Sequence, residues 1–352
     1  MQRVRIAPQR FGEDHPPQSR NLDDLFSILH PRNASFAECL ATRYPSSRSQ
    51  WRFCLFAWKR YFMRFRLSRF FLIGLLPMLC SCQSIFFGAM NAGRASTSAI
   101  TRTYAPDRDL KLDIYRPEKS SASTPVVLFF YGGSWRYGSR SEYAFVGKAL
   151  AAAGILTLVV DYRTAPQPAF PGFEADAADA VRWAYDHAGE FGGDTQRLFL
   201  VGHSAGAHIV ALLATDAHYL AAAGLKPRDL AGVVGIAGPY DFLPLTDPKI
   251  TEVFGPESEW PVSQPVNFVD GDEPPFLLLH GQGDRIVWPR NSEALEKKLR
   301  AAGIAVNYLR YPGLGHFRIL AGFRYPRLAP TLRDTAVFIN STPGIGAGES
   351  GQ

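Results

Sequence analysis

Beyond Cys82 the chain has no cysteine. The four it carries, Cys39, Cys54, Cys80 and Cys82, all lie in the first quarter of its 352 residues. The rest of the molecule therefore contains no disulfide and no thiol nucleophile. Cys80 and Cys82 are separated by one residue, too few for the Cys-x-x-Cys spacing of zinc and redox sites. No His-Glu-x-x-His run, Walker A loop or Gly-x-Gly-x-x-Gly is present, which removes the usual support for metal and nucleotide readings. A basic body is missing as well. The formal charge is +6, but residues 1–82 hold 13 Lys and Arg against 5 Asp and Glu, while the remainder holds 25 against 27. The positive charge belongs to the N-terminal segment, so no nucleic-acid partner is expected for the body. What is there suits a globular fold: 46% hydrophobic and 20% charged residues, enough for a sizeable core.

Residues 1–62 show no sustained period of 2 or 3.6 and read as unstructured, or as an extension ahead of a working start at Met63. From Met63 the character changes. Arg64, Arg66 and Arg69 precede the ten-residue apolar run Phe70–Leu79, the charge-then-hydrophobe order of a secretory signal. Leu79-Cys80-Ser81-Cys82 resembles a bacterial lipobox, which implies export, lipidation at Cys82 and a membrane-tethered protein of the cell envelope. Gln83 in place of Asp after the Cys implies, in such lipoproteins, the outer membrane. The alternative is a single uncleaved transmembrane anchor, since Phe70–Met90 is 21 residues long and mostly apolar, although Pro77, Ser81, Gln83 and Ser84 interrupt it. Residues 83–104 then read as a tether, 105–340 as the folded domain and 341–352 as a disordered tail.

Within 105–340, apolar runs suited to strands alternate with stretches rich in helix formers. Leu110–Tyr115 and Ala305–Tyr311 alternate as half-exposed strands do. Pro125–Tyr131, Ile155–Val160, Arg197–Val201, Gly232–Ala237 and Pro275–His280 are continuous apolar runs, as in buried strands. Between them, Ser141–Ala153, Asp176–Ala188, Ala205–Ala214 and Asn291–Ala302 read as helices. Such alternation predicts an α/β architecture, a mostly parallel sheet with helices on both faces.

Gly202-His203-Ser204-Ala205-Gly206 sits between an apolar strand and an Ala-rich helix. A Gly-x-Ser-x-Gly in that context is a nucleophile elbow. The turn is too tight for a Cβ at either flanking position, and it lifts Ser204 to the top of the sheet. Tyr131-Gly132-Gly133-Ser134-Trp135, Asp161-Tyr162-Arg163-Thr164-Ala165-Pro166, Gly202–His208 and Tyr311-Pro312-Gly313-Leu314-Gly315-His316 together resemble the α/β-hydrolase-fold carboxylesterases. The likeness is to their hormone-sensitive-lipase-like and feruloyl-esterase-like branch, and it spans residues 105–340.

The resemblance implies a small-molecule ester substrate hydrolysed through an acyl-serine without metal or organic cofactor; residues 105–340 are used up by the core fold, which leaves no room for a large cap domain and favours short- to medium-chain esters. The resemblance makes the loop after Pro125–Tyr131 the oxyanion hole, with backbone donors Gly132, Gly133 and Ala205. Tyr131 stands where His is usual and Ser134 where a third Gly is usual. In this fold the order is Ser, acid, His. Only His316 follows Asp284, which ends the loop after Pro275–His280, so the triad is Ser204, Asp284 and His316. Asp241 is the rival acid; Asp270 and Asp272 lie at the wrong end of their strand. Asp161 and Arg163 read as a structural ion-pair anchor. Ser134, Trp135, His203 and Tyr240 are candidate pocket residues. The competing functions are an amidase or formamidase of the same fold and a non-catalytic binding protein; oligomeric state is not legible.

Overall fold

The computed structural model describes residues 85–93, 99–166 and 169–345. Eight strands form one sheet: β1 (Ile100–Ala105), β2 (Leu110–Tyr115), β3 (Pro125–Phe130), β4 (Leu156–Val160), β5 (Asp194–His203), β6 (Gly232–Ile236), β7 (Phe276–Gly281) and β8 (Val306–Tyr311). Their spatial order is β1-β2-β4-β3-β5-β6-β7-β8. The β1–β2 and β2–β4 pairs are antiparallel and all others parallel. Every residue of β3, β4, β6 and β7 is buried, as their uninterrupted apolar sequences require of strands covered on both faces. β8 closes one edge, and its alternating sequence is half exposed there. Truncating a fully buried side chain of this core such as Phe129 to Ala would cost on the order of 3–5 kcal/mol.

The helices fall into two packed groups. Helices Ala144–Ala152, Ala321–Arg324 and Thr331–Ser341 touch one another, and so do Gly172–His187, Ala205–Thr215 and Ala217–Ala222. Helix Ala205–Thr215 is buried along its whole length, the fate of a helix that is apolar all round, and packs against β3, β5 and β6. Helix Arg290–Ala301 is amphipathic instead and lays Leu295 and Leu299 against β7 and β8. Between β6 and β7 the chain forms helix Pro248–Phe254 and two 3₁₀ turns, not a separate cap domain. Because β3, β5, β7 and β8 run parallel, the loops after them emerge at one end of the sheet.

Two expected boundaries are corrected. Residues 83–104 are not simply a tether. Residues 85–91 form a helix that buries Phe87 and Met90, and Ile100–Ala105 pairs as β1. Asn91 Nδ2 donates to the Glu142 carbonyl at 2.8 Å, and an Arg324 guanidinium N–H donates to the Ala92 carbonyl at 3.0 Å. The apolar Phe86-Phe87 pair supplied a burial force that the small polar residues around it concealed. The expected tail is likewise fixed as far as Ile345, whose amide donates to the Gln196 carbonyl at 2.9 Å. The signal or anchor segment, Cys82 and residues 1–62 lie outside the described residues.

Candidate active site

Ser204 sits at the turn between β5 and helix Ala205–Thr215 with φ 54° and ψ −120°. Non-glycine residues rarely adopt a positive φ, and here the surroundings impose it. A Cβ on Gly202 would lie 2.2 Å from the Gly206 carbonyl oxygen, and one on Gly206 would lie 2.1 Å from that of Phe130. Strand, helix and neighbouring strand thus meet through bare main chain, which is why both flanking residues are glycine.

The residues expected to act together are brought together. His316 Nε2 lies 2.8 Å from Ser204 Oγ, and His316 Nδ1 lies 2.8 Å from Asp284 Oδ2. Ser204 is 8% and His316 6% exposed. The other Asp284 oxygen accepts the amides of Ile286 at 2.9 Å and Val287 at 3.0 Å. His280 Nε2, which donates to the Val287 carbonyl, stands 3.4 Å from Asp284 Oδ2. Burial alone would push the Asp284 carboxyl up. The hydrogen bonds from His280, His316 and Ile286 outweigh burial and hold it far below the usual carboxylate range. Asp284 is therefore ionised and fixes the protonated nitrogen of His316 as Nδ1, leaving Nε2 to accept the Ser204 proton.

The rival acids are elsewhere. Asp241 is exposed, and its amide donates to Asn291 Oδ1. Asp272 pairs with Arg228, and Asp270 Oδ1 accepts the Asp272 amide. Asp161 pairs with Arg140, while Arg163 and Arg108 both hold the fully buried Asp176. These are two separate ion-pair groups, so the expected Asp161–Arg163 pair is not formed, and neither group is hydrogen-bonded to Ser204 or His316.

At the oxyanion loop the structure departs from expectation at Gly132. Its amide donates to the Tyr143 hydroxyl at 3.3 Å and is not free for a substrate. The amides of Gly133 and Ala205 donate to no protein acceptor among the described residues. Gly132 is needed for proximity instead: a Cβ there would come within 2.9 Å of both Ser204 Cβ and His203 Nδ1. The loop is held in an uncommon conformation, with positive φ at Gly133, Ser134 and Trp135.

Three candidate pocket residues are corrected. Tyr240 is fully buried against Gly235 and Gly238. Trp135 is buried among Phe173, Phe242 and Phe254, its Nε1 donating to His208 Nδ1 at 3.3 Å. His203 is buried between Tyr143 and the His316 loop. Apolar packing and hydrogen bonding claimed all three side chains. Ser134 alone is exposed. Sequence reasoning missed Tyr143, for which no motif exists, and Phe86, whose ring centroid lies 6.0 Å from that of Phe317 beside the triad histidine. Among the described residues, no group of three or more His, Cys, Asp or Glu is placed to hold a metal ion.

A Ser–His–Asp constellation raised by a strand–turn–helix elbow above a mostly parallel sheet defines the α/β-hydrolase fold. Residues 112–299 match the BD-FAE family, and the chain belongs to it. Esterase LipC of Mycobacterium tuberculosis is 32% identical over 265 residues, 67% of this chain and 63% of that protein. A probable isoprenylcysteine alpha-carbonyl methylesterase of Arabidopsis thaliana is 28% identical over 229 residues, 58% of this chain and 48% of that one. The chain thus spans about half to two thirds of the length of these curated relatives. Among solved structures, a truncated carbohydrate esterase from gut microbiota shares the fold with a TM-score of 0.61 at 22% identity, covering 71% of this chain and 99% of that one.

Proposed function

We propose that the protein is a serine carboxylesterase acting on short- to medium-chain carboxylic esters through an acyl-Ser204 intermediate. The observation that carries this reading is the unbroken line from Ser204 Oγ through His316 to an ionised Asp284, with 2.8 Å at each step. His316 Nε2 takes the Ser204 proton as Oγ attacks the ester carbonyl carbon. The amides of Gly133 and Ala205 face the developing oxyanion, at the N-terminus of helix Ala205–Thr215, whose dipole favours negative charge. Collapse expels the alcohol, protonated by His316. Water then attacks the acyl carbon, His316 takes its proton, and the acid leaves as Ser204 is restored. The imidazolium of each step is stabilised by Asp284. Esterase relatives support ester chemistry, and the absence of a separate cap domain among the described residues supports small acyl groups. Cys82 is proposed as the lipidated N-terminus that keeps the enzyme in the cell envelope.

The test is a panel of nitrophenyl esters graded by acyl length, with organophosphonate labelling of Ser204 in parallel. Turnover greatest for short and medium chains and a label on Ser204 are expected. Rates that rise with long chains at an oil–water interface would contradict the substrate class, and a label elsewhere would contradict the nucleophile. For location, wild type and Cys82→Ala are compared by membrane fractionation and uptake of labelled fatty acid. Identical behaviour without uptake would leave the transmembrane anchor.

A further inference from the structure

We propose that Tyr143 and His203 are a positioning pair that ties the oxyanion loop, the nucleophile elbow and the His316 loop into one rigid unit. This rests on the reading of Ser204 as nucleophile. Both side chains are 1% exposed. The Tyr143 hydroxyl lies 3.3 Å from the Gly132 amide nitrogen and 3.2 Å from His203 Nδ1. His203 Nε2 lies 3.2 Å from the His316 carbonyl oxygen.

The chemistry fixes the direction of every bond. A carbonyl only accepts, so His203 Nε2 carries the hydrogen. Burial, and then the neighbouring His316, hold the His203 imidazole neutral. A neutral ring with its proton on Nε2 has a bare Nδ1, which accepts the Tyr143 O–H. The Tyr143 oxygen keeps lone pairs to accept the Gly132 N–H. The chain of donors therefore runs Gly132 to Tyr143 to His203 to His316, and each polar atom in it has a partner.

The links fall one residue from reacting groups. Gly132 precedes the proposed donor Gly133, His203 precedes Ser204, and the last bond ends on the backbone of His316 itself. A Phe at 143 and an apolar residue at 203 would fill the same space, since Phe87, Phe129 and Tyr131 already surround the Tyr143 ring. What they would lack is the hydroxyl and the two ring nitrogens that set where three separate loops stand. Displacing catalytic groups by about 1 Å can cost on the order of 100-fold.

Tyr143→Phe keeps the ring and removes only the hydroxyl. It is expected to lower kcat by roughly 10- to 100-fold with KM within twofold, and to lower the melting temperature by only a few degrees, since the Gly132 N–H and His203 Nδ1 lose their partner. His203→Gln, which preserves a donor toward the His316 carbonyl, is expected to retain more kcat than His203→Leu. The double variant Tyr143→Phe/His203→Gln should be no worse than the more damaged single, because one chain is broken only once. Independently of turnover, ¹⁵N-histidine NMR at pH 7 should show His203 neutral with its proton on Nε2, and the Nδ1 signal should move in Tyr143→Phe. A Tyr143→Phe enzyme within twofold of wild-type kcat, or His203 protonated on Nδ1, overturns the proposal. If wild type hydrolyses no ester and takes no phosphonate label, the functional reading fails, and this proposal with it. An active wild type beside an equally active Tyr143→Phe refutes the positioning pair alone.

Discussion

Among the described residues two buried carboxylates, Asp284 and Glu174, each face a buried imidazole, and only Asp284 has the makings of a catalytic acid. Asp284 and His316 stand 2.8 Å apart; Glu174 and His208 stand 3.5 Å apart. Both acids have fully buried side chains. The difference lies in what else reaches the carboxylate. Asp284 accepts two backbone amides as well as the histidine, whereas neither oxygen of Glu174 has a hydrogen-bond partner. Burial, with a smaller contribution from Asp216, pushes the Glu174 carboxyl well above the usual range. His208 is brought down to about 4 by burial, despite its bond to the Ser263 carbonyl. The second pair is therefore two neutral groups that brace Trp135 under the oxyanion loop. A buried acid next to a histidine stays ionised only where donors converge on the acid.

The contrast can be tested from its strongest end downward. Ser204→Ala should lower kcat by roughly 10⁶-fold with the fold intact, read by circular dichroism beside the ester assay. Asp284→Asn should lower it by about 10⁴-fold, because an amide no longer selects the Nδ1–H tautomer of His316, while Asp241→Asn stays within twofold. Equal losses would transfer the acid's role. His208→Leu strands the Trp135 indole and the Ser263 carbonyl, at about 2–3 kcal/mol measured by urea unfolding, with a kcat loss below tenfold. A larger catalytic than structural effect would make the second pair functional.

The last effect concerns stability against pH and leaves the chemistry untouched. Asp284, depressed in the fold, contributes stability that is complete above about pH 4, its unfolded value, and is lost on acidification. Glu174 acts oppositely. It is neutral in the fold and ionised in the unfolded chain above about pH 4.3, so its presence weakens the fold as pH rises. Glu174→Gln should match wild type near pH 4 and gain on it toward pH 8, by at most about 1.4 kcal/mol per pH unit. Urea midpoints with the same gap at both ends would mean that Glu174 is charged in the fold.

The elbow was legible because sterics leave it little choice: glycines at 202 and 206, a strand before and a helix after. His316 followed from the chain order that the fold implies, and Asp284 from its place in the loop after a strand's C-terminal end. What was not legible is how polar groups share partners in three dimensions. The Gly132 amide is claimed by Tyr143, eleven residues away on another element. Trp135 and His203 carry the aromatic and polar character of pocket residues, yet packing from segments 242–254 and 316–317 encloses them. Residues 85–91 were misjudged for the same reason, because the surface that buries Phe87 and Met90 is assembled from distant parts of the chain.

The seating of that short helix has a bearing on how the enzyme would meet its substrate. Cys82 precedes Ile85 by three residues, and a chain covers at most about 3.6 Å per residue. Lipid on Cys82 would moor the hydrolase on a leash of about 10 Å, too short to let it swing away from the bilayer. The moored end is also the end where Phe86 meets Phe317. A lipid on Cys82 would then stand within that leash of a contact whose far side, Phe317, adjoins His316 in the chain.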